Sequence, residues 1–275
     1  ARVTQYHLGQ AAGTAAAYNA PLSGAVFAAQ IVLGNFSMNL FAPLVLAAVV
    51  ATTMSRSVFG IDPWYTVPSF NFTSLSQLPW FLVLGLLCGV AGALFLKAFK
   101  LSQRLFTRVP LSVCARIGLA GVGVGLLAVV YPEVWGNGYE ATNHFLTRPM
   151  SPHFMLGLSS AKVLATVIAV GAGTVGGVFT PTLFVGAAVG CGFVAALQAM
   201  GIGMGLPNSA FVLTGMGSVL AATVHSPLLA VIVVFELSLN YSIMPPLMLA
   251  CAVSTLVARR LHPESVYTAP LREKG

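Results

Sequence analysis

Gly171-Ala172-Gly173-Thr174-Val175-Gly176-Gly177-Val178-Phe179-Thr180-Pro181-Thr182-Leu183-Phe184-Val185-Gly186-Ala187-Ala188-Val189-Gly190 sets a glycine cluster inside an apolar run and follows it with a proline. Proline is tolerated in the first turn of a helix, where its missing N–H would have no intrahelical partner. The stretch therefore reads as a helix that starts inside a membrane. The first amides of such a helix are unpaired and sit at the positive end of its dipole, which makes them a seat for a small anion. Discontinuous helices of this kind mark substrate sites in transporters.

The same residues contain a false lead. Gly171 to Gly176 matches G-x-G-x-x-G, and Val163 to Val170 could pass for a strand feeding a dinucleotide site. That fingerprint wants an Asp or Glu about 20 residues further on for the ribose. No acidic residue occurs between Ala141 and Phe235, so the nucleotide reading fails.

Composition agrees with a membrane protein. Charged residues make up 7% of the 275 and hydrophobic residues 57%, against about 25% charged in ordinary soluble domains. Apolar runs near 20 residues recur along the chain, each long enough to cross a bilayer core. The net charge of +7 does not indicate nucleic acid, because the basic residues sit at loop ends with no aromatic interleaving on one face. Lys97, Lys100, Arg104, Arg108 and Arg116 lie between two apolar spans, and Arg259, Arg260, Arg272 and Lys274 follow the last one. Ser57 to Trp80 has no Lys or Arg. The positive-inside rule then places the first two groups and the C-terminus in the cytoplasm and the third stretch outside.

Taken in order, Gly9 to Leu33 is rich in Ala and Gly and is punctuated by Asn19-Ala20-Pro21, which predicts two short helices with a break. Spans follow at 40–56, 78–101, 117–131 and 151–170. The chain then runs through the central stretch to 207–239, broken at Pro227, and ends on 244–261. The loop between the second and third spans carries the sequon Asn71-Phe72-Thr73, relevant only to a secretory-pathway host. Lys162 lies within a span, where an ammonium must snorkel or find carbonyls, and it is also a candidate functional residue. Cys88, Cys114, Cys191 and Cys251 have neither metal-site nor disulfide spacing and read as packing residues. His7, His144, His153, His225 and His262 are scattered, and no Ser/His/Asp constellation appears, so the residues give no sign of an enzyme, a metal site or a cofactor.

An internal repeat emerges when Pro21 is set on Pro227, an offset of 206. Ala15 and Ala16 then fall on Ala221 and Ala222, Leu22 on Leu228 and Gln30 on Glu236. At an offset of 203, Pro43, Leu44, Leu46, Ala47, Val50, Thr52 and Arg56 fall on Pro246, Leu247, Leu249, Ala250, Val253, Thr255 and Arg259. Charge puts the ends of these paired spans on opposite sides, so the copies should be inverted. The chain then divides into residues 1–58, the end of a first repeat; 59–77, an external loop; 78–262, the second repeat; and 263–275, a cytoplasmic segment. Subtracting the offset from Leu78 places the start of the first copy roughly 125 residues before Ala1, so the chain reads as the C-terminal portion of a larger transporter.

Gly176-Gly177-Val178-Phe179-Thr180-Pro181 with Gly186-Ala187 and Gly190, Asn19-Ala20-Pro21-Leu22, Ser226-Pro227-Leu228 with Phe235-Glu236, and Val266-Tyr267 resemble the CLC family of chloride channels and chloride/proton antiporters. The resemblance covers essentially the whole chain. It implies an all-α polytopic membrane protein, an inverted-repeat bundle of tilted and broken helices, assembled as a homodimer in a bacterial inner or plasma membrane. It implies that amides at Gly177, Val178 and Phe179 bind chloride and that the Tyr267 hydroxyl donates to it. Neutral donors suit a conducted ion, which must bind weakly enough to leave. The family's serine-bearing and gating-glutamate segments would precede Ala1. Its proton-transfer glutamate position falls on Ile31, beside Gln30, and neither side chain exchanges protons. The expected function is therefore voltage-gated chloride channel-like transport, passive or weakly proton-coupled, with Glu236 as a possible proton carrier or a buried hydrogen-bonded acid. Transport of nitrate or fluoride, or a non-transporting scaffold, remain as alternatives.

Overall fold

The structure, a computed structural model, describes residues 2–33, 38–61, 64–68, 75–147, 152–174, 176–202 and 207–267. Among these the regular structure is helical. The sequon at Asn71 with its neighbours over 69–74, and Arg272 and Lys274, lie outside the described residues.

The helices are α1 (Arg2–Tyr18), α2 (Pro21–Phe27), α3 (Met38–Phe59), α4 (Leu78–Arg108), α5 (Val113–Val130) and α6 (Tyr139–Thr147), then α7 (Pro152–Gly171), α8 (Phe179–Ala199), α9 (Asn208–Val224), α10 (Pro227–Ser238) and α11 (Met244–Leu261). Among the described residues, six stretches are long and apolar enough to cross a membrane, including Leu78–Arg108, Phe179–Ala199 and Tyr241–Leu261. The breaks fall where the sequence marks them: α2 and α10 each open on their proline, and α8 opens two residues before Pro181. The first helix starts at Arg2 rather than near Gly9, a glycine that the helix tolerates, and α4 runs on to Arg108, just before Val109-Pro110. The segment Val163 to Val170 is helical, which removes the strand that a dinucleotide site would need.

The core of the bundle is α9, whose residues from Ser209 to Val224 are all buried. An apolar stretch of 17 residues surrounded on every side by protein needs no polar face. Helices α8, α4, α11 and α10 pack around it. Close approach is made by glycine. A Cβ on Gly186 or Gly190 of α8 would run into the backbone of α9 at Gly215 and Met216 or at Phe211 and Val212, and one on Gly85 of α4 would lie 2.8 Å from the Ala250 carbonyl oxygen of α11. In lipid, where no hydrophobic effect drives helices together, such backbone contact is what holds them.

The two related halves share details that no side-chain count would show. Asn19 and His225, paired by the 206 offset, both adopt left-handed backbone, at φ 56° and φ 60°. Each stands two residues before a helix-opening proline, and each is held by the arginine that the repeat pairs. The Arg56 Nε donates to Asn19 Oδ1 at 2.6 Å, and the Arg259 Nη2 donates to the His225 carbonyl at 2.8 Å. The contacts across the halves are also reciprocal. Gln30, at the end of the first half-helix, accepts through Oε1 from Ser226 Oγ at 2.6 Å, the residue that caps α10. Its repeat partner Glu236, at the end of α10, accepts from the amides of Leu22 and Ser23 at 2.8 and 2.7 Å and from Ser23 Oγ at 2.5 Å. The end of each half-helix thus meets the start of the other, as a two-fold relation between the halves requires, although the partner residues are shifted by two or three positions.

The backbone contact at Gly85 leaves no room for a side chain. Gly85→Ala should lower the thermal stability of the full-length protein in detergent, and Gly85→Leu should cost about 2–3 kcal/mol or more. An unchanged Tm for the leucine variant would refute the close-packed seam between α4 and α11.

Candidate functional site

The glycine cluster unwinds the chain between α7 and α8. Gly171 closes α7 against the Ser102 and Phe106 side chains, which leave no space for a Cβ, and Ser102 Oγ donates to the Val167 carbonyl at 2.8 Å. Gly173 then turns with φ 92°, a conformation open to glycine and costly for other residues. Val178 is the residue before α8, with no side chain capping the new helix. The opening peptide groups of α8 have no carbonyl one turn back to donate to, so their N–H groups are available to a ligand.

Two cavities meet at this turn, with Gly176 and Val170 lining both. One, of about 210 Å³, lies beside Val178 and is closed by Tyr267, Lys100, Gln103 and His262. The other, of about 500 Å³, runs between α5 and α7 past Gly177, Pro181 and Lys162. Neither is lined by a carboxylate among the described residues. Val178 and Tyr267 therefore share one chamber. Gly177 opens to the other, and Phe179, the first residue of α8, is buried and lines neither.

Tyr267 reaches this position because the chain after α11 folds back on α9. The Val266 amide donates to the Thr223 carbonyl at 3.0 Å, and Ser265 is buried. The phenol makes no hydrogen bond within the described residues, and burial raises it above its ordinary pKa range, so it remains a neutral O–H donor. Its ring meets Phe27 edge-on at 5.5 Å, Phe27 meets Phe179 edge-on at 6.3 Å, and Phe179 lies 4.8 Å from Tyr18. Tyr18 Oη is 2.8 Å from Thr180 Oγ1. A row of four aromatic rings thus clamps the first turn of α8 from the side of α1 and α2. Tyr18 and Phe27 were not marked by the sequence as site residues. Their only signal was position, each within a turn or two of Asn19-Ala20-Pro21.

The remaining candidates lie elsewhere. Glu236 and Gln30 are both engaged in the cross-half contacts described above and line neither cavity. Ile31 sits partly buried against the core. Lys162 is 3% exposed and donates to the carbonyls of Val134 and Gly136 at 2.7 and 2.8 Å, which is the carbonyl-seeking arrangement that a lysine in a span requires. Those carbonyls come from the turn leading into α6, a helix with no forewarning in the sequence beyond Gly136-Asn137-Gly138. Cys88, Cys191 and Cys251 are buried and Cys114 is exposed. Of the histidines, His225 accepts through its carbonyl from Arg259, and His262 follows the end of α11.

The family model described as "Voltage gated chloride channel" matches residues 4–259. A putative chloride channel protein, ClcB-like, of Ralstonia nicotianae is 40% identical over 263 residues, covering 96% of this chain and 61% of that protein. The voltage-gated ClC-type chloride channel ClcB of Escherichia coli is 35% identical over 265 residues, covering 94% of this chain and 62% of the relative. Among solved structures, a slow cyanobacterial Cl−/H+ antiporter superposes with a TM-score of 0.89 at 27% identity, over 98% of this chain and 64% of the other. The chain thus spans somewhat less than two thirds of the length of the proteins it matches. Its broken helices, its paired halves and its multi-span apolar composition are those of an integral membrane protein, and the chain belongs to the voltage-gated chloride channel, or CLC, family.

Proposed function

We propose that the chain is part of a protein that moves chloride across a bacterial inner membrane, passively or with weak coupling to protons. The observation that carries this reading is the amide turn at Gly177, Val178 and Phe179, set where two cavities meet that no carboxylate lines among the described residues, with the neutral Tyr267 lining the same cavity as Val178. Peptide N–H groups and a phenol hold an anion by hydrogen bonds without the full charge that would slow its departure. The basic ends of α4 and α11 lie on the cytoplasmic side in this reading, and the tail with them. Residues 1–58 complete a first repeat and 78–262 form its inverted second copy. The functional unit is a homodimer.

Weak coupling follows from two side chains. Gln30 and Ile31 occupy the place where antiporters of the family carry a proton-transferring glutamate, and neither exchanges a proton. Glu236 is taken up as the cap of α2, whose own first residues lack a side-chain cap. The likeness to a Cl−/H+ antiporter favours a second reading, coupled exchange.

Liposomes holding the full-length protein should release chloride down its gradient without moving protons uphill in fixed ratio. Stoichiometric proton pumping would establish the exchanger instead, and stable protein with no flux would point to a scaffold. Adding nitrate or fluoride in competition measures which small anions share the path.

Two substitutions test the assigned roles. Tyr267→Phe removes one neutral donor and should weaken chloride binding about 3- to 10-fold, as read by calorimetry. Glu236→Gln keeps an acceptor for α2 but loses its charge, and should cost about 1 kcal/mol of stability with chloride and proton fluxes unchanged. Loss of proton flux alone in that variant would make Glu236 a proton carrier.

A further inference from the structure

Lys162 is more than a prop for its neighbouring turn. Its ammonium has three N–H donors, two of which are taken by the Val134 and Gly136 carbonyls. The third has no partner among the described residues. The ring of Phe184 lies 5.7 Å from the nitrogen, offering its face but no formal charge. Among the described residues no carboxylate pairs with it, and the ion pair formed there, Lys100 with Glu264, lies at the smaller cavity. The protein therefore buries a whole positive charge against neutral groups alone, which is costly in a membrane interior unless an opposite charge visits it.

The cavity beside it supplies the place for that visit. Lys162 lines the 500 Å³ space together with Gly176, Gly177 and Pro181, at the opening of α8. The wall facing α7 comes from α5, where Gly121 and Gly125 keep the surface low. The two carbonyls hold the ammonium in the wall, so its charge acts on the whole chamber while it cannot swing out to clamp an ion. A charge set back in this way raises the local concentration of an anion without adding a tight ligand.

We propose that Lys162 is the electrostatic attractor of the anion path, drawing small anions into the cavity between α5 and α7 and toward the amide turn at Gly177. The proposal rests on the reading of the chain as an anion transporter. It assigns the ammonium a positioning role for the permeating ion, distinct from the hydrogen bonds that anchor the turn before α6.

The test uses the full-length protein in liposomes, with chloride flux measured against chloride concentration. Lys162→Gln still donates to a carbonyl but carries no charge; it should raise the half-saturating chloride concentration about tenfold or more, with the maximal rate less affected. Lys162→Arg, which keeps the charge, should return that concentration most of the way to the wild-type value. Thr166→Glu, one turn along the same cavity wall, leaves Lys162 and its carbonyls in place while cancelling the charge, and should reproduce the Gln phenotype should Lys162→Gln fail to fold. A wild-type half-saturation in either neutralised variant overturns the proposal. If wild-type protein moves no anion at all, the transport reading itself falls.

Discussion

The structure depends on two short half-helices each ending on the beginning of the other. The Glu236 carboxylate, at the end of α10, gathers the free amides of α2, and Gln30, at the end of the first half-helix, takes the hydroxyl that caps α10. A helix of seven residues such as α2 is too short to hold itself together in isolation. Its N–H groups in an apolar surround would each carry the cost of an unpaired donor. The carboxylate removes that cost and fixes the position of α2 in one step. Phe27, the last residue of α2, is thereby set between Phe179 and Tyr267, so the geometry of the amide turn depends on a contact between the halves.

The reciprocal pattern also explains why one half carries an acid where the other carries an amide. The α2 end offers two backbone amides and a serine hydroxyl, three donors that a carboxylate can accept together. The α10 end is already capped by Ser226, which accepts from the Leu229 amide at 3.3 Å and has only its own proton to give. One amide oxygen is enough there. The asymmetry at Gln30 and Glu236 thus has a local hydrogen-bonding cause.

Much of this was legible from residue order. Pro21, Pro181 and Pro227 marked the openings of α2, α8 and α10 because proline has few other places in an apolar helix. The offset of 206 paired the two prolines and the offset of 203 the two arginines before their geometry was known, while the left-handed backbone at Asn19 and His225 was not foreseen. What residue order did not carry was distance across the fold. Nothing near Tyr18 or Phe27 announces that their rings flank Phe179, and nothing near Lys162 names the turn at Val134 and Gly136 that receives it. The helix α6 was missed because its nine residues, Tyr139–Thr147, are mixed in polarity and too short for a period to stand out.

The glycine seam between α8 and α9 has a mechanical consequence. Helix α8 is fixed to the most buried helix of the bundle at Gly186 and Gly190, backbone against backbone. Its opening at Phe179 stands about 10 Å along the axis from the first of these anchors, at 1.5 Å per residue. It behaves as a short cantilever clamped at its root, stiff against bending and unable to slide without carrying α9 along. A change in the space beside Val178 would then have to come from its other walls, such as the Tyr267 ring and the chain that carries it back from α11.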